Sequence, residues 1–359
     1  MKTTNTSRVL TAGLSRRAFV GASLASAATL VLAGCGRTGR TAAAAPAEGA
    51  ASDSKAASGE KTKITFCLDY TPNTNHTGIY VAQNKGFFAD EGLEVEIVQP
   101  ADGTAEGAIG TGQAQLGVSY QDYVAAAYDA GNTGLTAVAA VIQHNTSGIM
   151  SRAEDGITHA ALMEDHVYTT WDMAVEQATI KQVMTTDGGD FSKLKMVPFT
   201  VDDEVQGLKA NMFDCVWVYE GWAVQNAAVQ DYPVNYFSFK DMDDVFDFYT
   251  PVLAANNDFM KSNPDAVKAF LRAAKKGYEF AVEHPEDAAQ ILCDEVPELD
   301  SALVEASAKY LADQYTADAS SWGVIDGKRW AAYFQWLNDN DLVENKLDVN
   351  AGFDTSYLA

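Results

Sequence analysis

The chain has 359 residues, 47% of them hydrophobic and 21% charged, and 49 Asp and Glu outweigh 25 Lys and Arg for a formal net charge of −24. So acidic a field disfavours nucleic acid and an anionic membrane surface as partners. The apolar fraction is ample for a packed core, and the length suits one or two domains.

In chain order, Ser15-Arg16-Arg17-Ala18-Phe19-Val20 opens an uncharged, Ala- and Leu-rich run that closes on Leu32-Ala33-Gly34-Cys35. Paired arginines before an apolar run match a twin-arginine export signal. Leu-Ala-Gly-Cys matches a lipobox, whose Cys is acylated and becomes the new N-terminus. The run is short for a bilayer-spanning helix, and Gly, Ser and Ala dilute it. Residues 1–34 are therefore expected to be an export signal peptide and Cys35 the lipidation site, so that the protein works outside the cytoplasm, lipid-anchored to the cell membrane. Loss of Lys2, Arg8, Arg16 and Arg17 with the signal makes the mature chain more acidic still. Residues 35–61 continue as a flexible linker: after Cys35 they hold no aromatic or branched aliphatic residue and cannot bury enough surface to offset ordering.

From Lys63 the pattern changes. Lys63–Leu68 alternates as a strand, His76–Asp90 reads as a helix, and Leu93–Val98 alternates again. A short helix over Thr104–Gly112, a strand over Gln115–Ser119 and a helix over Gln121–Ala130 follow. The pattern then repeats: strand Val167–Thr170, helix Val175–Met184, strand Lys195–Pro198, helix Asp203–Leu208, strand Cys215–Val218. Strands alternating with helices predict α/β architecture with parallel sheets. From Asn263 the chain turns helical, with Asn263 as N-cap, Pro264 at the first helical position and Val267, Phe270, Leu271, Ala274 and Tyr278 along one face; Trp330, Tyr333, Phe334 and Leu337 keep that spacing in a last helix. Two α/β sets suggest two lobes with a cleft between them, where ligands sit beyond the carboxyl ends of the strands.

Five segments at those ends are polar and aromatic at once: DYTPNTNHTG (69–78), SYQDY (119–123), QHNTSG (143–148), TTWDMAVEQ (169–177) and WVYEGW (217–222). They hold aromatic planes, amides, imidazoles and carboxylates and no cation. A phosphate or sulfonate usually meets Arg, Lys or a Gly-rich loop. A neutral or weakly basic planar ring needs stacking and a carboxylate at its amino and ring-nitrogen edge, as an aminopyrimidine does. Cys67, Cys215 and Cys293 lie far apart in apolar contexts and read as small core residues, and the five His show no metal-ligand spacing.

DYTPNTNHTG, KGFFADEGLEVEIVQP (85–100), GVSYQ (117–121), IQHNTSG (142–148), DGGDFSK (187–193), YTPV (249–252) and VPELD (296–300) together resemble the substrate-binding proteins of thiamine-precursor ABC transporters. Their superfamily includes alkanesulfonate and nitrate binders and the fungal hydroxymethylpyrimidine synthases. The resemblance implies a two-lobed periplasmic-binding-protein fold of class II, with lobe 1 formed by 62–153 and 250–359 and lobe 2 by 154–249. It implies formylaminopyrimidine or hydroxymethylpyrimidine in the cleft, an ABC permease as partner, no cofactor and no catalysis. The ligand-binding positions it carries over are Asp69, Tyr70, Asn75, His76, Tyr120, Gln121, His144, Trp171, Glu176 and Tyr249, with Asp69 or Glu176 as charge partner and Tyr70 and Trp171 as stacking planes. Three departures bear on the ligand: Tyr70 stands where Trp is common, Asp172-Met173-Ala174 replaces Gly-Ser-Pro, and Glu220-Gly221-Trp222-Ala223 alters a Gly-Trp-Glu ending. The alternatives are a binder of a riboflavin-type ring or an alkanesulfonate, and an enzyme of the synthase kind, whose Cys-rich segment this sequence lacks.

Overall fold

The structure, a computed structural model, describes residues 61–100, 104–199 and 203–358. The export signal, Cys35 and all of the linker but Lys61 lie outside the described residues. The first set of elements is β1 (Thr62–Cys67), α1 (Thr77–Asn84), α2 (Phe87–Asp90), β2 (Leu93–Val98), α3 (Ala105–Gly110), β3 (Leu116–Ser119), α4 (Gln121–Asp129) and β4 (Leu135–Ala140). The second is β5 (Ser147–Arg152), β6 (Val167–Thr170), α5 (Ala174–Thr186), β7 (Lys195–Pro198), α6 (Glu204–Lys209), β8 (Cys215–Tyr219), α7 (Gln225–Val229) and β9 (Val234–Ser238). Then come β10 (Val252–Asn256), α8 (Asn257–Ser262), α9 (Pro264–Glu283), α10 (Pro285–Glu295), α11 (Ser301–Thr316) and α12 (Gly327–Asp339).

The strands form two five-stranded sheets, β2-β1-β3-β10-β4 and β7-β6-β8-β5-β9. Neither is purely parallel. In the first, β10 alone runs against its neighbours, and in the second β5 does. These are the strands by which the chain enters the second sheet and returns to the first, so each sheet contains one strand brought from the other side. This corrects the boundary read from sequence: β5, assigned there to lobe 1, lies in the second sheet because its backbone pairs with β8 and β9, and the first crossing therefore precedes Ser147.

The sequence patterning is otherwise kept with local changes. The helix expected over His76–Asp90 is cut in two because Gly86 adopts a left-handed conformation, φ 76°, which ends α1 and starts α2. Asn263 precedes α9 as expected, but its side chain makes no capping bond to the helix and instead donates to Ser262 Oγ. Cys67 and Cys215 are buried free thiols, as core residues should be, whereas Cys293 is half-buried.

The face of α9 predicted from spacing is buried against the first sheet, where Phe270 stacks between Phe66 at 5.3 Å and Phe88 at 4.9 Å. Helices α1 and α9 approach through paired glycines: a Cβ built on Gly277 overlaps the carbonyl oxygen of Gly78, and one on Gly78 overlaps the Tyr278 ring. That contact anchors α1, and with it the loop that begins at Asp69. Gly277→Ala is accordingly expected to destabilise the protein by about 1–3 kcal/mol, the usual cost of forcing extra volume into a packed core. Denaturant unfolding should show it as a lowered midpoint with an unchanged slope.

Candidate ligand-binding site

The two crossings turn the carboxyl edges of the sheets toward each other. The hydroxyl of Tyr219, at the end of β8, lies 3.4 Å from Thr250 Oγ1, just before β10. Thr74, beyond β1, meets Ser307 of α11 at 2.6 Å, and the Ser307 hydroxyl donates to the Gly221 carbonyl beyond β8. The five polar and aromatic segments lie along these facing edges.

Beyond β1, Asp69 is bonded on both oxygens. Asn73 N–H donates to His76 Nδ1 at 3.1 Å, so the ring proton is on Nε2, which donates to Asp69 Oδ1 at 2.6 Å; Tyr120 donates its hydroxyl proton to Oδ2. His76 is completely buried in this arrangement. Burial by itself would raise the Asp69 carboxyl, but the His76 bond, aided by Tyr120, outweighs it and holds the group below the usual carboxylate range. Burial, followed by the Asp69 charge, drives the Tyr120 phenol far upward. Most polar residues of DYTPNTNHTG are likewise bonded inward: Asn73 caps the turn by accepting from Asn75 N–H at 2.9 Å, the Asn75 carbonyl accepts from Tyr278, and the Thr74 carbonyl accepts from Tyr315. Tyr70 is the contrast. It is 67% exposed, leaving its ring open on the edge.

Beyond β6, Glu176 is an internal brace. Its carboxylate accepts from Tyr168 hydroxyl at 2.7 Å, Thr170 hydroxyl at 2.8 Å and Trp171 N–H at 3.0 Å. The brace fixes the turn that holds up Trp171, whose ring is 45% exposed and lies tilted on Trp217 with centroids 5.6 Å apart. The next residue, Asp172, has φ 61°, the left-handed region that suits the Gly of the related pattern and strains an Asp.

Gln121 and Tyr249 form a separate pair. The Gln121 side-chain carbonyl accepts from Tyr249 N–H at 2.9 Å and its amide donates to the Trp330 carbonyl at 2.8 Å, so the whole amide is used inside the protein. The Tyr249 hydroxyl accepts from Asp326 N–H, and the Arg329 guanidinium lies 4.0 Å above its ring. His144 belongs to this group, with Nδ1 2.6 Å from Asp247 and Nε2 2.8 Å from Asp318. Arg329 bonds Asp247 at 2.8 Å and the Gln143 carbonyl at 2.6 Å. Although the five segments contain no cation, α12 thus delivers one to His144 and Tyr249, where Asp247 neutralises it.

The structure adds Asp122, Tyr123 and Tyr219 to the edge. No side chain among the described residues hydrogen-bonds the Asp122 carboxyl; it takes its own N–H and that of Tyr123 in the first turn of α4. Burial pushes it up to about 7 against those N–H groups, with the Glu106 charge adding to the rise. Tyr123 and Tyr219, both partly exposed, stand around it. Asp122 lies inside SYQDY, but an acid in a helix's first turn reads as a partner for the helix dipole, and what marks it out is its proximity to β8 and α12, where its charge acts on Tyr219 and Tyr333.

Two mixed sheets crossed twice by the chain define the periplasmic-binding-protein fold. The aliphatic sulphonate binding protein SsuA of Escherichia coli shares it with a TM-score of 0.63 at 15% identity, over 80% of this chain and 96% of that one. The alkanesulfonate-binding protein SsuA of Xanthomonas axonopodis pv. citri, bound to MOPS, gives 0.64 at 11% identity, over 82% and 99%. Residues 73–288, more than half of the chain, match the NMT1/THI5 like family, and the chain belongs to that family. A formylaminopyrimidine-binding protein of Halalkalibacterium halodurans is 27% identical over 302 residues, covering 81% of this chain and 89% of the relative. A 4-amino-5-hydroxymethyl-2-methylpyrimidine phosphate synthase of Saccharomyces cerevisiae is 24% identical over 252 residues, covering 67% and 73%.

Asp122 carries a pH signature. Its folded pKa lies above the unfolded value of about 3.9, so the folded state binds more protons between about pH 4 and pH 7 and stability falls as pH rises through that window. Asp122→Asn should remove that fall, a difference of the order of 2–4 kcal/mol between the two ends of the window when parent and variant are compared by urea unfolding.

Proposed function

We propose that the protein is a lipid-anchored, extracytoplasmic receptor of an ABC importer that captures a thiamine-precursor pyrimidine, formylaminopyrimidine or hydroxymethylpyrimidine, and hands it to a membrane permease. The observation that carries this reading is the grouping, on facing sheet edges, of open aromatic planes with a carboxyl group, Asp122, that no side chain among the described residues neutralises. A planar aminopyrimidine asks for that combination. Tyr70 and Trp171 supply faces for stacking. Ionised Asp122 accepts from the exocyclic amino group and, when the ring is protonated, from the ring N–H. Asp69 and Glu176 act behind this layer, holding Tyr120 and Trp171 in place. Membership of the NMT1/THI5 like family and the formylaminopyrimidine-binding relative support the ligand class, and the fold shared with SsuA proteins supports delivery to an importer. The export signal and lipobox in the sequence support the anchor.

Binding of this kind needs no bond to be made or broken. The synthase relatives raise the question of turnover; in this sequence the cysteines after Cys35, Cys67, Cys215 and Cys293, are scattered and form no Cys-rich segment.

Titration calorimetry of the full-length protein with formylaminopyrimidine and hydroxymethylpyrimidine is expected to give saturable binding. Tyr70→Ala and Trp171→Ala should each weaken it by about 1–3 kcal/mol, the range for a base stacked on an aromatic ring. Asp122→Asn should weaken it as well, and mass spectrometry should recover the ligand unmodified. Parent-like affinity in all three variants, with native circular dichroism, would remove the site from this edge, and a converted product would make the protein an enzyme. The anchor has its own test: Cys35→Ala should move the protein from the carbonate-washed membrane fraction to the soluble one.

A further inference from the structure

Four buried polar side-chain atoms lack a hydrogen-bond partner among the described residues, and two of them, Trp217 Nε1 and Ser147 Oγ, fall close together. They belong to one corner of the second sheet. The β5–β8 ladder pairs Ser147 with Tyr219 and Ile149 with Trp217, and residues paired across an antiparallel ladder point to the same face. Ser147, Trp217 and Tyr219 therefore share a face at the carboxyl edge of β8, the edge from which Trp171 also projects.

Native proteins seldom leave such groups unpaired, because each keeps the desolvation penalty of burial with nothing gained in return. An indole N–H donates and cannot accept, and a serine hydroxyl donates or accepts. Ser147 comes from QHNTSG, where Gln143 donates to the Val324 carbonyl, His144 meets Asp247 and Asp318, and Asn145 bonds the Phe246 carbonyl and the Ser147 N–H. The Trp217 ring is held from the core side by Phe239, with centroids 4.3 Å apart, and touched from the edge by Trp171. Trp171 is the half-exposed ring that precedes the left-handed Asp172, and backbone strain of that kind gathers at ligand clamps.

We propose that Trp217 Nε1–H and Ser147 Oγ form a subsite for an acceptor oxygen of the ligand, the carbonyl of a formylamino arm, reached when the Trp171 ring moves off Trp217. The assignment rests on the pyrimidine reading above and refines it: a site built around two donors favours the formylamino compound over a pyrimidine without an acceptor in that arm, since the analogue leaves the donors unpaired.

The test compares formylaminopyrimidine with an aminopyrimidine that carries a methyl group in place of the formylamino arm, on the full-length parent, Ser147→Ala and Trp217→Phe. Each substitution should weaken the formylamino ligand by about five- to tenfold, one hydrogen bond's worth, and leave the methyl analogue's affinity unchanged. Without ligand, Ser147→Ala should melt at or above the parent temperature, because it deletes a hydroxyl that nothing in the free protein satisfies. Equal losses for both ligands, no loss for either, or a Ser147→Ala protein that melts below the parent would each overturn the subsite while leaving pyrimidine binding intact. A parent that binds neither compound would overturn the ligand reading itself, and the subsite with it.

Discussion

Everything in this protein follows from the chain having to cross between two sheets and come back. A strand that arrives from the other lobe enters the sheet against the direction of its neighbours, and β5 and β10 do so with every residue buried. The crossings are then held from outside. Gln121 bonds both backbone groups of Tyr249, its N–H donating to the Tyr249 carbonyl and its side-chain carbonyl accepting from the Tyr249 N–H, while Arg329 grips the Gln143 carbonyl on one crossing and Asp247 on the other and covers the Tyr249 ring. One guanidinium thus ties both crossings together, and through it α12 is joined to the connections between the sheets as well as to the core.

The polar residues at the facing edges divide by what their atoms do. Asp69, His76, Glu176, Gln121 and Asn145 are buried or nearly so, and their hydrogen bonds end on other protein groups. Such networks are worth most when complete, and each fixes the backbone of a loop that a ligand would otherwise have to order. Tyr70, Trp171 and Tyr123 carry open surfaces beside them, and the Asp122 carboxyl is held by backbone N–H groups with no side-chain partner among the described residues. A rigid polar layer beneath an adaptable aromatic one lets a flat ligand be held without a large ordering cost.

Several features of that upper layer are unfavourable in the free protein. Asp172 is strained, Asp122 ionises against its surroundings, and Trp217 and Ser147 keep polar atoms unpaired. Left-handed residues and unpaired polar atoms occur elsewhere too, at Ala317 and Arg329 for example, but those at Asp172, Trp217 and Ser147 fall on neighbouring strand ends, and groups arranged for an absent partner are costly until it arrives.

The sequence by itself determined the α/β class, the strands β2, β6 and β7 to the residue, the long helix from Pro264 with its buried face, and the polar segments at strand ends. Those elements advertise themselves locally, through period-two or period-3.6 patterning and turn residues. It did not determine β4, β5, β9 and β10. Buried on both faces, Leu135–Ala140 and Val252–Asn256 lack alternation, and their Ala-rich runs read as easily as helix. The mixed sheets followed from those strands and were equally hidden. Within the site, the sequence named Asp69, Tyr70, His76, Tyr120 and Trp171 together but could not say which carboxylate was free. That was decided by partners distant along the chain: Tyr120 reaches back 51 positions to bond Asp69, and Asp122 lies near enough to Tyr219 and Tyr333 for its charge to add to burial in raising both phenols. Whether a carboxyl is neutralised or left open is a property of what packs against it, and packing exists only in three dimensions.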